Sequence, residues 1–190
     1  MYAADWDDDL AARRYAAAAF DSLMDRAARR GFGIEGVDAC DFGCGTGLLT
    51  DRLVERCERI DAVDASPAML AVLDAKIERH GWTHVRTMTE PPDPPAAYDL
   101  VVCSSVCAFL DDYAGTAALL VDRLRPGGLF VQWDWELDPT DDGSHGLSRG
   151  RIREVLAAAG LAAVEVDTGF SVEVELQVLR PLMGVGRKPG

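Results

Sequence analysis

Residues 37–53 read VDACDFGCGTGLLTDRL, and three glycines stand at alternate positions in it, Gly43, Gly45 and Gly47. The apolar run before them predicts a strand, and LLTDRL after them predicts a helix from Gly47 to about Cys57. Glycine is costly to order and packs nothing, so three in so short a stretch imply that backbone is being kept bare for a purpose. A strand, a glycine turn and a helix place that purpose at the carboxyl edge of a doubly wound sheet, where backbone N–H groups face a nucleotide. The dinucleotide fingerprint wants its third glycine at the sixth position. Counting from Gly43, that position is Leu48, so the match fails. The acid Asp41 at the end of the strand would repel a pyrophosphate and attract a cation.

About twenty residues beyond Gly43, Asp64 closes a second apolar run in AVDASPAML. An acid there can accept hydrogen bonds from both hydroxyls of a ribose. Ala65 and Met69 would then flank the base. Ser66-Pro67 opens the next helix as a capping serine and a first-turn proline, and Gly81 closes it.

The rest of the chain continues the alternation. Residues 8–30 are alanine-rich, with Leu10, Tyr15, Ala19, Leu23 and Ala27 at helical spacing, and Gly31 and Gly33 end that helix. HVRTM is a weak third strand, and the prolines at 91, 92, 94 and 95 make a surface connection. YDLVVCSSV is a fourth strand, YAGTAALLVDRL a helix, RPGG a turn and LFVQWDWE a fifth strand. A polar loop, a helix over 149–159 and two β-rich segments, 161–178 and 181–187, complete the chain. Strands alternating with helices predict a parallel sheet covered on both faces. The last two segments lack a helix between them and should form a hairpin, giving the sheet one antiparallel strand.

DFGCGTG, VDASPAML, YDLVVCSSV and LRPGGLF, in this order and spacing, resemble the class I S-adenosylmethionine-dependent methyltransferases. The resemblance runs from about residue 35 to the C-terminus. It implies an α/β fold with a seven-stranded, mostly parallel sheet in the order 3-2-1-4-5-7-6, strand 7 antiparallel, and helices on both faces. It implies S-adenosyl-L-methionine as cofactor. Asp41, Phe42, Gly43, Cys44, Gly45 and Gly47 would hold its methionine part, and Asp64 its ribose. Ala65, Met69, Met88 and Thr89 would hold its adenine, with Glu90 outside them and Ser104 at the end of the fourth strand. Many relatives carry an acid after strand 3 for the adenine amino group; TMTEPP stands there instead. The expected organisation is one domain over residues 1–190, a helical cap over 1–33 followed by a Rossmann-like core over 34–190.

The expected reaction is methyl transfer by in-line displacement to oxygen or nitrogen, less readily carbon, of a small molecule. A module that binds the cofactor without methylating is the alternative. His145, in DDGSHGLS, is the histidine placed to act as a base, while His80 and His84 sit at element ends as structural residues. Asp134 and Glu136 alternate with Trp133 and Trp135, so the acids face one side as a cation-binding wall or as a solvated strand end. Tyr2, Trp6 and Tyr15 precede the first strand, and the acceptor pocket must come from them and from loops 104–113 and 134–148.

Charge excludes several partners. The chain carries 19 Lys and Arg against 32 Asp and Glu, a net charge of -13, which argues against nucleic acid and anionic membrane. The Asn/Asp-Pro-Pro-aromatic signature of nucleic-acid amino-methylation is absent after the fourth strand. No apolar run is long enough to span a bilayer, and the N-terminus lacks a signal-peptide pattern. Five cysteines without a disulfide framework suggest the cytoplasm, and their neighbours give no metal site. Cys107 has neither a preceding proline nor a basic neighbour and reads as a buried thiol. A monomer or homodimer is expected.

Overall fold

The computed structural model describes residues 3–93, 97–138, 140, 145–174 and 177–190. The strands are β1 (Asp38–Phe42), β2 (Arg59–Val63), β3 (Val85–Met88), β4 (Tyr98–Ser104), β5 (Leu124–Asp134), β6 (Ala162–Thr168), β7 (Val172–Val174), β8 (Gln177–Leu179) and β9 (Leu182–Arg187). Seven of them form one sheet in the order β3-β2-β1-β4-β5-β9-β6. Every pair from β3 to β5 is parallel, and β9 runs antiparallel to both β5 and β6. With β9 counted as the seventh strand, this is the expected class I order. The seventh strand arrives late because β7 and β8 make a separate antiparallel hairpin ahead of it. The segment expected as one strand over 161–178 is therefore two strands and part of a third.

The helices are α1 (Leu10–Arg29), α2 (Thr50–Leu53), α3 (Pro67–His80), α4 (Tyr113–Asp122) and α5 (Arg149–Ala158). None is long and apolar enough to cross a membrane. Asp9 caps α1 by accepting from the Ala11 and Ala12 amides at 2.6 and 3.2 Å. The face α1 buries holds Tyr15, Ala19, Leu23 and Ala27, but Leu10, its first residue, is exposed. Burying Leu23 completely contributes about 2 kcal/mol.

Two further expectations are corrected. The helix after the glycine turn lasts four residues: Leu53 and Val54 donate to the Leu49 and Thr50 carbonyls at α spacing, and Arg56 then donates to the Leu53 carbonyl in a tighter turn. Arg125-Pro126-Gly127-Gly128 lies inside β5 as an irregularity in its pairing with β4, not as a turn before it.

The sheet divides two cores. One lies under α1, α2 and α3, with Leu53, Leu73, Leu100, Leu129 and Trp133; the other lies under α4 and α5, with Tyr98, Phe130, Ile152 and Leu156. β9 sits close under α5 because Gly184 offers no side chain; a Cβ there would lie 2.6 Å from Ile152. Of the proline connection, residues 94–96 lie outside the described residues, and Pro92 accepts from Arg123 Nε at 2.8 Å.

Candidate active site

Asp41 leaves β1 on the α1 side of the sheet and is wholly buried. Its Oδ2 accepts the Thr50 hydroxyl at 2.6 Å, while Oδ1 has no partner. Burial pushes this carboxyl up to about 6; the Thr50 hydroxyl opposes the shift and the negative charge of Asp64 adds to it. A buried carboxylate oxygen without a donor is costly, and such groups call for an explanation. Asp41 is also one of the residues lining a cavity of about 570 Å³, within the range of small-molecule sites.

The three glycines, which share left-handed backbone, serve different ends. A Cβ on Gly43 would lie 2.5 Å from Val106, and one on Gly47 would lie 2.5 Å from Leu73, so these two let neighbouring elements close in. Gly45 faces open space at the cavity. Its N–H donates to Asp64 Oδ2 at 2.9 Å, and the Ser66 N–H donates to Asp64 Oδ1 at 2.8 Å. Asp64 thereby ties the glycine turn to the start of α3, and its remaining lone pairs face the same cavity as Asp41.

Opposite these carboxylates the wall changes character. Trp6, Tyr15, Val106, Phe109, Trp135 and Leu179 supply it. The Tyr15 ring stands 5.5 Å from Trp135 and edge-on to Phe170 at 5.0 Å. The Ser105 hydroxyl donates to Tyr15 Oη at 2.9 Å. Ser105 has φ +54, a conformation that non-glycine residues adopt at a cost, and its N–H donates to the Trp133 carbonyl at 2.7 Å. Burial raises the Tyr15 hydroxyl well above the ordinary tyrosine range, so it stays protonated.

Among the described lining residues there is no Lys, Arg or His, against three carboxylates, Asp9, Asp41 and Asp64. Asp9 is engaged in capping α1. An anionic pyrophosphate would meet only repulsion here, whereas a ligand with a cationic end and a diol fits the unpartnered Asp41 oxygen and the adjacent Asp64.

The cavity collects Asp41, Gly43, Cys44, Gly45 and Asp64 from the expected cofactor set, and also Met69 and Ser104. Phe42 turns to the other face of the sheet, and Gly47 packs on Leu73. The Met88 carbonyl accepts the Asp64 N–H at 3.1 Å while its side chain joins the second core; Ala65 and Thr89 are exposed. His145 is exposed outside the cavity, its ring 5.4 Å from Phe109 at the rim. Tyr2 lies outside the described residues.

Asp134 forms neither a cation wall nor a solvated strand end. It is buried, accepting from the Ala108 N–H at 3.0 Å and from Gln132 Nε2 at 2.8 Å, and so it holds the turn that carries Phe109. Glu136 is exposed and pairs with Arg149. All five cysteines are free and buried, and hydrogen bonding to Cys103 together with burial raises the Cys107 thiol, the opposite of an activated nucleophile. Thr50, Thr46 and Ser105 carry no mark in the sequence; only the acid at the end of β1 hints that a hydroxyl partner is needed.

A family model described as a methyltransferase domain matches residues 40–130. A malonyl-[acyl-carrier protein] O-methyltransferase of Hahella chejuensis is 32% identical over 171 residues, covering 78% of this chain and 60% of that protein. A ubiquinone biosynthesis O-methyltransferase of Methylocella silvestris is 30% identical over 174 residues, covering 80% and 65% respectively. The chain thus spans less than two thirds of either relative. In fold it is similar to the Burkholderia thailandensis 1,6-didemethyltoxoflavin-N1-methyltransferase, solved with 1,6-didemethyltoxoflavin and S-adenosylhomocysteine. That match has a TM-score of 0.73 at 21% identity and covers 98% of this chain and 85% of the other.

Proposed function

We propose that the chain is a class I S-adenosylmethionine-dependent methyltransferase, a reading supported by the methyltransferase-domain model that matches residues 40–130 and by the O-methyltransferase relatives, and that it methylates an oxygen or nitrogen atom of a small molecule. The observation that carries this reading is that Asp41, whose Oδ1 has no hydrogen-bond partner, and Asp64 line one cavity, with no Lys, Arg or His among its described lining residues. When bound, the cofactor would supply a methyl on positively charged sulfur, open to displacement by a lone pair of the acceptor.

The residues of the chain have correspondingly modest tasks. Asp41 would receive the ammonium of the methionine part, and Asp64 the two ribose hydroxyls. Ser66 and Met69 would border the base, with Ala65, Met88 and Thr89 beyond them. Tyr15, Phe109 and Trp135 would exclude water and align the acceptor, and orientation alone can supply about 7–11 kcal/mol. His145, exposed beside Phe109, is placed to take a departing proton only at the rim. The net charge of -13 supports a partner other than nucleic acid. We assign the whole chain to one domain, with residues 1–33 as its cap.

Titration calorimetry with S-adenosylhomocysteine, S-adenosylmethionine and NAD tests the ligand. The first two should bind and NAD should not; preferential binding of NAD ends the proposal. Release of S-adenosylhomocysteine during incubation with an acceptor panel then tests turnover, and binding without turnover on any acceptor favours the non-catalytic module.

A further inference from the structure

The acceptor side of the cavity is specific enough to name a chemical class. Its walls are aromatic and aliphatic, from Trp6, Tyr15, Val106, Phe109, Trp135 and Leu179. Its side-chain hydroxyls are those of Tyr15, Ser104 and Ser105, and the carboxylate near them, Asp9, is engaged by the Ala11 and Ala12 amides as the cap of α1. An acceptor carboxylate, such as a malonyl group, would lose its hydration and meet no cation among the described lining residues. An ammonium has no lone pair with which to attack, and no described residue on this side is placed to deprotonate it inside the cavity. A neutral planar ring suits both conditions, since it can lie against Trp135 and Phe109 without any uncompensated charge.

The hydroxyl pair gives that ring a direction. Ser105 donates to Tyr15 Oη and Ser104 hydrogen-bonds the same hydroxyl, so the three make one cluster from which Tyr15 can donate to a ligand. Tyr15 is fixed by Trp135 and Phe170, and Ser105 is held at φ +54 by its bond to the Trp133 carbonyl. A strained residue kept in place to aim a hydroxyl is characteristic of a site rather than of packing.

Resting on the methyltransferase reading, we infer that the acceptor is an uncharged aromatic compound, oriented by a hydrogen bond from Tyr15 to a neutral oxygen or nitrogen on its ring. Tyr15 is a positioning residue and Ser105 sets its hydroxyl.

The test uses three probes that share one ring system: a naphthol, a naphthoate and a naphthylmethylamine, with a hydroxyquinoline and a malonyl thioester beside them. Cofactor binding is measured first and separately, by calorimetry with S-adenosylhomocysteine. The naphthol or the hydroxyquinoline should be methylated, and the naphthoate, the amine and the thioester should not. Tyr15→Phe should raise KM for the methylated probe about tenfold, with kcat changed less than threefold and S-adenosylhomocysteine affinity within twofold. Ser105→Ala should raise the same KM by a smaller factor.

Preferential methylation of the charged probes overturns the inference and leaves the methyltransferase reading intact. So does silence of both neutral rings with the cofactor bound, or a Tyr15→Phe protein with unchanged KM. Failure of S-adenosylhomocysteine to bind instead overturns the reading beneath it.

Discussion

Asp41, the glycine turn, Asp64 and Ser66 come from one continuous run of chain, whereas Tyr15, Ser105, Phe109, Trp135 and Leu179 come from four separate places: α1, the segment after β4, the end of β5 and β8. The first group is fastened mainly by short-range bonds to backbone: Gly45 and Ser66 to Asp64, and Gly43 and Cys44 to the Val63 carbonyl. The second is fastened by ring against ring and by one pair of hydroxyls. Backbone bonds fix a geometry that tolerates few substitutions, while side-chain packing between distant elements can be re-cut one residue at a time. One half of the cavity is thus built for a constant ligand, and the other is free to follow its acceptor.

The largest effect should come from breaking the first half at its centre. Asp64→Ala removes both expected ribose acceptors and leaves the Gly45 and Ser66 amides without their partner. Hydrogen bonds to charged groups contribute about 1.5–3 kcal/mol each, so S-adenosylhomocysteine affinity should fall about 100-fold or more. Calorimetry on protein with a normal melting curve checks this, and affinity within threefold of the parent removes Asp64 from the site.

Next comes the seam between the halves. Gly43→Ala combines a left-handed φ of +73 with a Cβ 2.5 Å from Val106. Strain and overpacking together should cost about 2–4 kcal/mol and lower Tm by about 5–15 °C. The double variant Gly43→Ala with Val106→Gly should recover the overpacking share and not the strain, because the nearest atom is the Val106 Cβ, which an alanine would keep. If the second change brings no recovery, the contact between the turn and the loop after β4 is not what requires this glycine.

The pH dependence separates the halves more finely, because Asp41 titrates and the aromatic wall does not. Its carboxyl is pushed up to about 6 by burial, against about 3.9 in an unfolded chain. The folded apo protein binds that proton more tightly than the unfolded chain does, so Asp41's contribution to stability is present below about pH 4 and is lost as pH rises to about 6. A cationic ligand selects the ionised carboxylate, and ligand affinity runs the other way. It should rise about tenfold per pH unit up to about 6 and then level off. Asp41→Asn should flatten both curves, and a slope that survives in that variant assigns the proton elsewhere.

The same contrast explains what could be read from sequence. The glycine turn, Asp41 and Asp64 are legible because their chemistry is local and their order along the chain is their order in the site. The alternation of strands and helices is legible for a similar reason, since most strands are short apolar runs bounded by turn residues, whereas the sheet order follows only from the resemblance to the class I methyltransferases. Ser105 is illegible: nothing in YDLVVCSSV shows that its second serine adopts φ +54 or meets a tyrosine from α1. Asp134 misleads, because an acid at a strand end looks solvated until the turn at residues 107–109 folds over it and donates an amide. Leu179 reaches the cavity on a hairpin that the pattern of the last residues does not separate from β6.

The smallest expected effect tests how the two halves are held together. Asp7, in the 3-10 helix over residues 3–8, accepts the Thr46 hydroxyl at 2.6 Å and pairs with the largely buried Lys76 at 2.8 Å. Lys76 also reaches Asp51 at 3.2 Å, so it keeps a partner when Asp7 is removed. The segment that brings Trp6 to the aromatic wall is therefore latched to the glycine turn and to α3. Asp7→Ala should leave Tm within about 2–4 °C, the size of a 1 kcal/mol change in a chain of this length. If ligand exchange passes this segment, the variant should release S-adenosylhomocysteine a few-fold faster in stopped-flow tryptophan fluorescence while equilibrium affinity changes less. Asp51→Ala, which loosens Lys76 without freeing the segment, should leave the release rate unchanged. Equal release rates in the parent and both variants would mean that the ligand leaves by another route.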